Sequence, residues 1–392
     1  MKAVSPNILA GGRKLAKFTV LNLVDFLAAQ KAPDPKPKTL LVVRLDAIGD
    51  YVLFRNFLEV LKRSEKYKQY DITLCGNIVW QDLAGNLDKK YIHDFIWIDK
   101  KKFLRNVYYR FNKLIDIRRR GFEVAMQPTF SREYYLGDAI IKASGASERI
   151  GSAGDLSNME KWQKDISDKY YTRLIQVSDA PPLEFLKNRE FFEILLGSKI
   201  HITKPSIEIP SYEAKKIQEG KYALIFPGAR NERKRWDPHR FAQVAEHLSE
   251  KYYLQILIAG DQNDKKIADK IRHEARNINV FDLTGQTTLT EIIGLIAQAT
   301  IVISNDTFAP HIAAAVNTKT IYLLTGEHFG RFGPYPKEIT DSIYFLYPPE
   351  IMIKINSDFE ALVEKYKYNS PLNVNCITVE QVKSLVDQIL KD

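Results

Sequence analysis

Two doubly wound, Rossmann-like α/β domains facing a central cleft is the architecture this sequence predicts, on three observations. Short apolar runs bounded by turn residues alternate with longer stretches of helical period. Several runs, 254–259 and 300–304 among them, are β-branched and apolar on both faces, as strands of a helix-covered parallel sheet must be. At 392 residues the chain also exceeds the roughly 250–300 at which one hydrophobic core stops growing.

Residues 1–38 read as a separate N-terminal element: a mostly apolar helix over 18–27, preceded by Arg13, Lys14 and Lys17 and ended by the Pro-rich stretch 32–38. Asn22 and Asp25 interrupt the apolar run, and a bilayer span needs about 20 apolar residues, so neither a signal peptide nor a membrane span is expected. The helix either packs on its own protein or serves as an interfacial foot on an anionic membrane.

The first Rossmann-like domain, 39–210, has strand candidates at 40–45, 72–75, 95–98 and 124–126, with helices over 51–64 and 101–119. Its pattern weakens from about 145, leaving a helical signal around 182–196 and a Pro-bounded strip over 200–210. The alternation restarts in the second domain, 211–375. Strands are predicted there at 222–226, 254–259, 280–283, 300–304 and 320–324, and helices at 238–250, 264–275, 289–299 and 309–316. An amphipathic helix closes the chain within 376–392, opened by the cap-like Thr378.

Composition narrows the chemistry. Lys and Arg number 57 against 48 Asp and Glu, a net +9 that favours anionic partners. Nine Lys/Arg against one acid fall within 100–120, a basic helix suited to acceptor phosphates or membrane headgroups, or merely solvated. No RNA-binding motif accompanies it, so no nucleic-acid partner is expected. Cys75 and Cys376 are too far apart in sequence to suggest a disulfide framework or a cysteine metal site. No G-x-G-x-x-G follows the first strand and no Walker spacing occurs, which disfavours hydride transfer and P-loop hydrolysis.

Three strand-end clusters carry the candidate chemistry. After the first strand, Arg44, Asp46, Gly49 and Asp50 run into a helix; in a doubly wound sheet this turn lies at the ligand edge. Asp50 is placed there to act as a general base, Gly49 allows close backbone approach, and either aspartate could instead cap the helix. After the 222–226 strand comes Pro227-Gly228-Ala229, then Arg230, Arg233, Lys234, Arg235, Trp236 and Arg240, five cations suited to a phosphate-bearing ligand or to solvent. The third cluster, Ser304, Asn305, Asp306, Thr307 and Phe308 before a small-residue helix holding His311, presents amides and a helix dipole to an anion such as a diphosphate. Gln127 to Arg132, ending the fourth strand, is the candidate acceptor rim or an ordinary loop.

In this order and spacing the three clusters resemble glycosyltransferase family 9, the ADP-heptose:lipopolysaccharide heptosyltransferase-like enzymes of the GT-B fold. The resemblance implies that Asp50 is the catalytic base. It places Lys234 and Gly228 at the donor, and Asp306 and Thr307 on its diphosphate, with His311 beside them. Asp264, with Asp261 as competitor, falls where an acid often meets the nucleoside. Phe308 replaces the family's usual Gly, a departure at the point of backbone approach. Arg44, Asp46, Gln127 and Arg132 are the expected acceptor-side residues. The implied activity is inverting, metal-independent transfer of a heptose-like sugar from a nucleotide diphosphate sugar to a lipopolysaccharide or other cell-surface glycan, without a cofactor. It implies a cytoplasmic enzyme, peripheral on the inner membrane face if the N-terminal foot binds lipid. Alternatives are a nucleotide-sugar epimerase on the same scaffold and a non-catalytic binder of nucleotide sugar or glycan.

Overall fold

The structure, a computed structural model, describes residues 6–30, 32–178, 183–209, 220–276 and 278–391, with side chains from Leu15 onward. Arg13, Lys14, Pro182 and Pro210, which belong to expected features, have side chains or backbone outside the described residues. The first lobe is a six-stranded sheet of β1 (Lys36–Arg44), β2 (Asp71–Asn77), β3 (Asp94–Ile98), β4 (Phe122–Gln127), β5 (Glu148–Ser152) and β6 (Arg173–Ile175), ordered β3-β2-β1-β4-β5-β6. The second holds β7 (Tyr222–Phe226), β8 (Gln255–Ile258), β9 (Val280–Asp282), β10 (Ile301–Ser304), β11 (Thr320–Leu323) and β12 (Ile343–Leu346), ordered β12-β11-β10-β7-β8-β9. All strand pairs are parallel.

Side-chain alternation shows why these runs are strands. In β1, Leu40 and Val42 enter one core while Leu41 and Val43 enter another on the opposite face with Leu114 and Ile117. In β10, Val302 and its neighbours Ile301 and Ile303 divide in the same way. One apolar cluster is continuous across both lobes, from Leu40 and Phe57 to Leu224 and Ile312. The helix Val379–Lys391 seals the second lobe, with Val382, Val386 and Ile389 packed into the core that contains Trp236.

The strand order decides where the site lies. It reverses between β1 and β4 in the first sheet and between β7 and β10 in the second, and ligands of such sheets bind beyond the carboxyl ends at those reversals. All three motif clusters follow β1, β7 or β10.

Three expectations are corrected. The 101–119 helix is two helices, Lys100–Arg105 and Val107–Arg120, because the Asn106 side chain accepts from the Tyr109 amide and starts a new one. The 51–64 helix is divided likewise into Ile48–Phe54 and Asn56–Arg63. Strands β5, β6 and β12, absent from the expected set, are short: Gly151 and two charges dilute β5, Arg173 opens β6, and β12 is an edge.

The N-terminal helix Pro6–Ala28 packs on Val107–Arg120, burying Leu21 and Ala28. Arg110, fully buried, donates to Asp25 at 2.5 and 2.7 Å, so part of the basic run is an internal anchor rather than a free surface. Among the described residues no helix is long and apolar enough to cross a membrane.

Candidate active site

A cleft of about 1120 Å³ lies between the lobes, and most of the sequence-derived site residues line it: Asp50 from the first lobe, and Gly228, Lys234, Asp264, Asp306, Thr307, Phe308 and His311 from the second.

Asp50 stands in the first turn of Ile48–Phe54. Neither it nor Asp46 caps that helix, since the N-cap is Ala47 with no side-chain bond. The carboxylates of Asp46, Asp50 and Glu184 lie within 4.8 Å of one another. Two guanidiniums meet this acidic cluster. Arg44, buried in β1, reaches Glu184 at 2.9 Å and Asp46 at 2.7 Å, while Arg331, from the loop after β11, donates through Nε to Glu184 at 3.0 Å. Asp50 has no such partner among the described residues. Burial, then repulsion from Asp46 and Glu184, push its carboxyl up to about 7 against the pull of Arg331 and Arg44. For Glu184 burial acts upward too, but Arg331 and Arg44 outweigh it and hold the carboxyl down at about 2. The cluster thus contains one carboxyl that exchanges its proton near neutrality beside one that stays ionised. One oxygen of Asp46 and both of Glu184 already face guanidinium groups.

On the other wall Lys234 ends the short 3₁₀ turn Glu232–Lys234. Its Nζ is 2.7 Å from Asp306 and 3.3 Å from Glu327. Burial disfavours its charge, yet the two carboxylates prevail and raise its pKa. Asp306 also accepts from the Tyr322 hydroxyl at 2.6 Å, so it orients Lys234 rather than capping the next helix. Thr307 accepts from the Ala309 amide and lies 3.0 Å from Ser304. Asn305, fully buried, ties the loops together: Nδ2 donates to the Pro227 carbonyl at 2.7 Å and Oδ1 accepts from the Trp236 amide at 3.2 Å.

Phe308 has φ −75° and ψ −20°, ordinary right-handed backbone that needs no glycine, and its ring packs edge-on against Phe226 at 6.0 Å. His311 is buried and neutral across the physiological range, its pKa lowered to about 4 by burial, with Nδ1 2.6 Å from the Tyr335 hydroxyl. The close approach at Gly49 is to this ring: a Cβ there would lie 2.5 Å from His311 Cδ2. Asp264 accepts from the Asp261 amide while Asp261 caps the 3₁₀ turn Gln262–Asp264, and the Asp264 carboxylate fills the space beside Gly228 and Gly260.

The expected acceptor side is corrected. Arg44, Gln127 and Arg132 are buried and do not line the cleft. Gln127 accepts from Tyr171 at 2.5 Å, and Arg132 lies against Tyr171 and pairs with Asp168. Thr129, Phe130 and Ser131 are buried too, because Arg331 and the helix Glu184–Leu196 cover the loop after β4. Asp46 is nearly covered by its pairing with Arg44. Of the five cations after β7, Arg230, Lys234 and Arg235 line the cleft, whereas Arg240 donates to the carbonyls of Asn375 and Ile377 and fastens the chain end. Sequence reasoning missed Glu184, Arg331 and Glu327. Glu327 and Arg331 lie in a loop without a pattern, and Glu184 opens a helix where the periodic signal is weak.

Comparison with known proteins bears on the family and the fold. Residues 170–352 match the model of glycosyltransferase family 9 (heptosyltransferase). Lipooligosaccharide heptosyltransferase 2 of Haemophilus influenzae is 38% identical over 94 residues, 23% of this chain and 27% of that protein. The match thus spans about a quarter of the length of that curated relative. In fold the likeness extends over nearly the whole chain. The glycosyltransferase family 9 structure from Veillonella parvula superposes with a TM-score of 0.69 at 17% identity, covering 93% of this chain and 99% of that one. The E. coli ADP-heptose LPS heptosyltransferase II does so with 0.61 at 16% identity, covering 90% and 98%. The expected resemblance is thereby met: residues 170–352 match the glycosyltransferase family 9 model, and the chain takes up the two-lobed fold of the solved structures it superposes on.

Proposed function

We propose that the protein is an inverting glycosyltransferase that moves a heptose-like sugar from a nucleotide diphosphate sugar, ADP-heptose, to a lipopolysaccharide or related cell-surface glycan in the cytoplasm, without metal or cofactor. The observation that carries this reading is the single cleft that brings Asp50 of one lobe opposite Lys234 and the 306–308 turn of the other. The acceptor hydroxyl oxygen attacks the anomeric carbon while its proton passes to the Asp50 carboxylate. The bond from that carbon to the diphosphate breaks, and its electron pair leaves with the nucleoside diphosphate. Charge developing on the leaving oxygens meets Lys234, already oriented by Asp306 and Glu327, and the backbone amides of the Thr307–Phe308 turn that precedes Ala309–Val316. Asp264 and Gly228 line the second lobe's wall of the same cleft. Phe308, turned against Phe226 in helical backbone, supports an open donor site rather than a blocked one. Metal independence is supported by Arg44 and Arg331, which engage two of the three clustered carboxylates, Asp46 and Glu184.

Thermal-shift measurements against ADP, UDP, GDP and their sugar conjugates test the donor half, and turnover of ADP-heptose in EDTA tests the transfer. ADP and ADP-heptose should stabilise the protein selectively and Lys234→Ala should lose most of that shift. Asp50→Ala should keep it while turnover falls by about two to four orders of magnitude. Stabilisation by UDP conjugates alone would replace the donor. Epimerised donor formed without acceptor would replace the reaction.

A further inference from the structure

The N-terminal helix is arranged inside out. Two of its polar side chains, Asp25 and Asn22, turn inward: Asp25 pairs with buried Arg110, and Asn22 lies 3.2 Å from the Tyr134 hydroxyl. Its outward side chains are apolar, with Leu15, Val20, Leu23, Phe26 and Leu27 all 47–66% exposed. At about 100° per residue these five fall within an arc of roughly 140° and extend about 20 Å along the axis. Ala16 and Thr19 complete the arc, and no charged residue enters it. Such a face has no partner among the described residues, and soluble surfaces rarely leave a continuous apolar strip uncovered.

The charges around the strip identify what covers it. Exposed Lys17 stands at one edge, with Nζ 4.9 Å from the Tyr135 ring. Beyond the other end lie exposed Lys36, whose amide donates to the carbonyl of Gly121 at the end of the supporting helix, and on that helix exposed Arg119, against the acids Asp34 and Asp116; Asp116 is already paired with Arg120. A second copy of the chain docked on this face would bring like charges together. An anionic surface meets opposite charge. We propose that this outward face, framed by Lys17, Lys36 and Arg119, docks on an anionic phospholipid bilayer, with Phe26 and the leucines entering the acyl boundary and the cations at the headgroups. The surface is separate from the cleft and does not depend on the donor chemistry, so the two readings fail independently.

Co-sedimentation of the full chain with phosphatidylglycerol-containing vesicles and with pure phosphatidylcholine vesicles tests it. The wild type should favour the anionic vesicles by about tenfold or more at low salt, less so as salt is added. The variant carrying Leu23→Ser, Phe26→Ser and Leu27→Ser should lose at least about tenfold of that binding, with circular dichroism and thermal midpoint unchanged because these side chains touch no core. Lys17→Glu should weaken it without abolishing it. Undiminished binding by the triple variant overturns the proposal. So does a concentration-dependent dimer that the triple variant dissolves without any vesicle binding, which would assign the face to a second copy.

Discussion

Asp50 and Glu184 share one patch of protein, and their surroundings set them apart. Burial penalises both charges, but Arg44 and Arg331 bond directly to Glu184 and only act at a distance on Asp50. A carboxyl raised to about 7 is protonated in the fold while already ionised in the unfolded chain, so stability falls as pH rises from about 4 to 7. Asp50→Asn removes that penalty. Its thermal midpoint should exceed the wild type's by an amount that opens between pH 4 and 7 and is constant above, while wild-type turnover rises through about pH 7. Parallel melting curves across pH 4–9 would show that Asp50 is not so perturbed. Asp50 itself was legible because an acid after a Gly at a strand end is a local pattern. Its environment was not, since Glu184 and Arg331 are 134 and 281 residues further along the chain.

At the scale of elements, the helix Ile48–Phe54 that carries Asp50 is set against Ala309–Val316 of the other lobe through Gly49 and the His311 ring. The fit depends on the missing side chain: an alanine Cβ would overlap Cδ2 at 2.5 Å, and His311 is held from behind by Tyr335 and cannot retreat. Gly49→Ala should therefore shift one helix against the other and cut turnover by about tenfold or more, since misplacement of a catalytic group by an ångström costs on the order of a hundredfold. Circular dichroism should stay unchanged, as each helix survives. Full activity in that variant would mean the two helices do not meet as described. These elements were readable because their residues speak for themselves: Tyr222–Phe226 is an unbroken apolar run, and Ala309–Val316 is small and helix-forming. The short edge strands and the break at Asn106 were not, because a polar residue there follows from neighbours in space rather than from periodicity.

Across the whole molecule the lobes are joined around the cleft by contacts of different chemistry. Beside the Gly49–His311 contact, the Asp82 carboxylate accepts from the Thr290 amide at 3.2 Å and hydroxyl at 2.8 Å, and Asn86 donates to the same hydroxyl. These bonds are only partly buried and can exchange with water as the cleft opens. The Arg331–Glu184 pair is different. Glu184 is fully buried, and its amide also donates to the Arg331 carbonyl at 2.9 Å, so parting the lobes there strands a charge. Arg331→Ala should cost about 3 to 5 kcal/mol of stability, as breaking one side of a buried ion pair does. The pH dependence identifies the cause. With Glu184 lowered from an ordinary 4.5 to about 2, the pair's contribution is complete above about 4.5 and is lost as pH falls toward 2. The deficit of Arg331→Ala relative to wild type in urea titrations should therefore be full at pH 6 and shrink toward pH 2. The midpoint of its rate–pH profile should move upward, because Asp50 loses one of the two cations that moderate it. A deficit independent of pH, with an unmoved rate profile, would reduce Arg331 to packing and leave Arg44 as the cation that moderates Asp50.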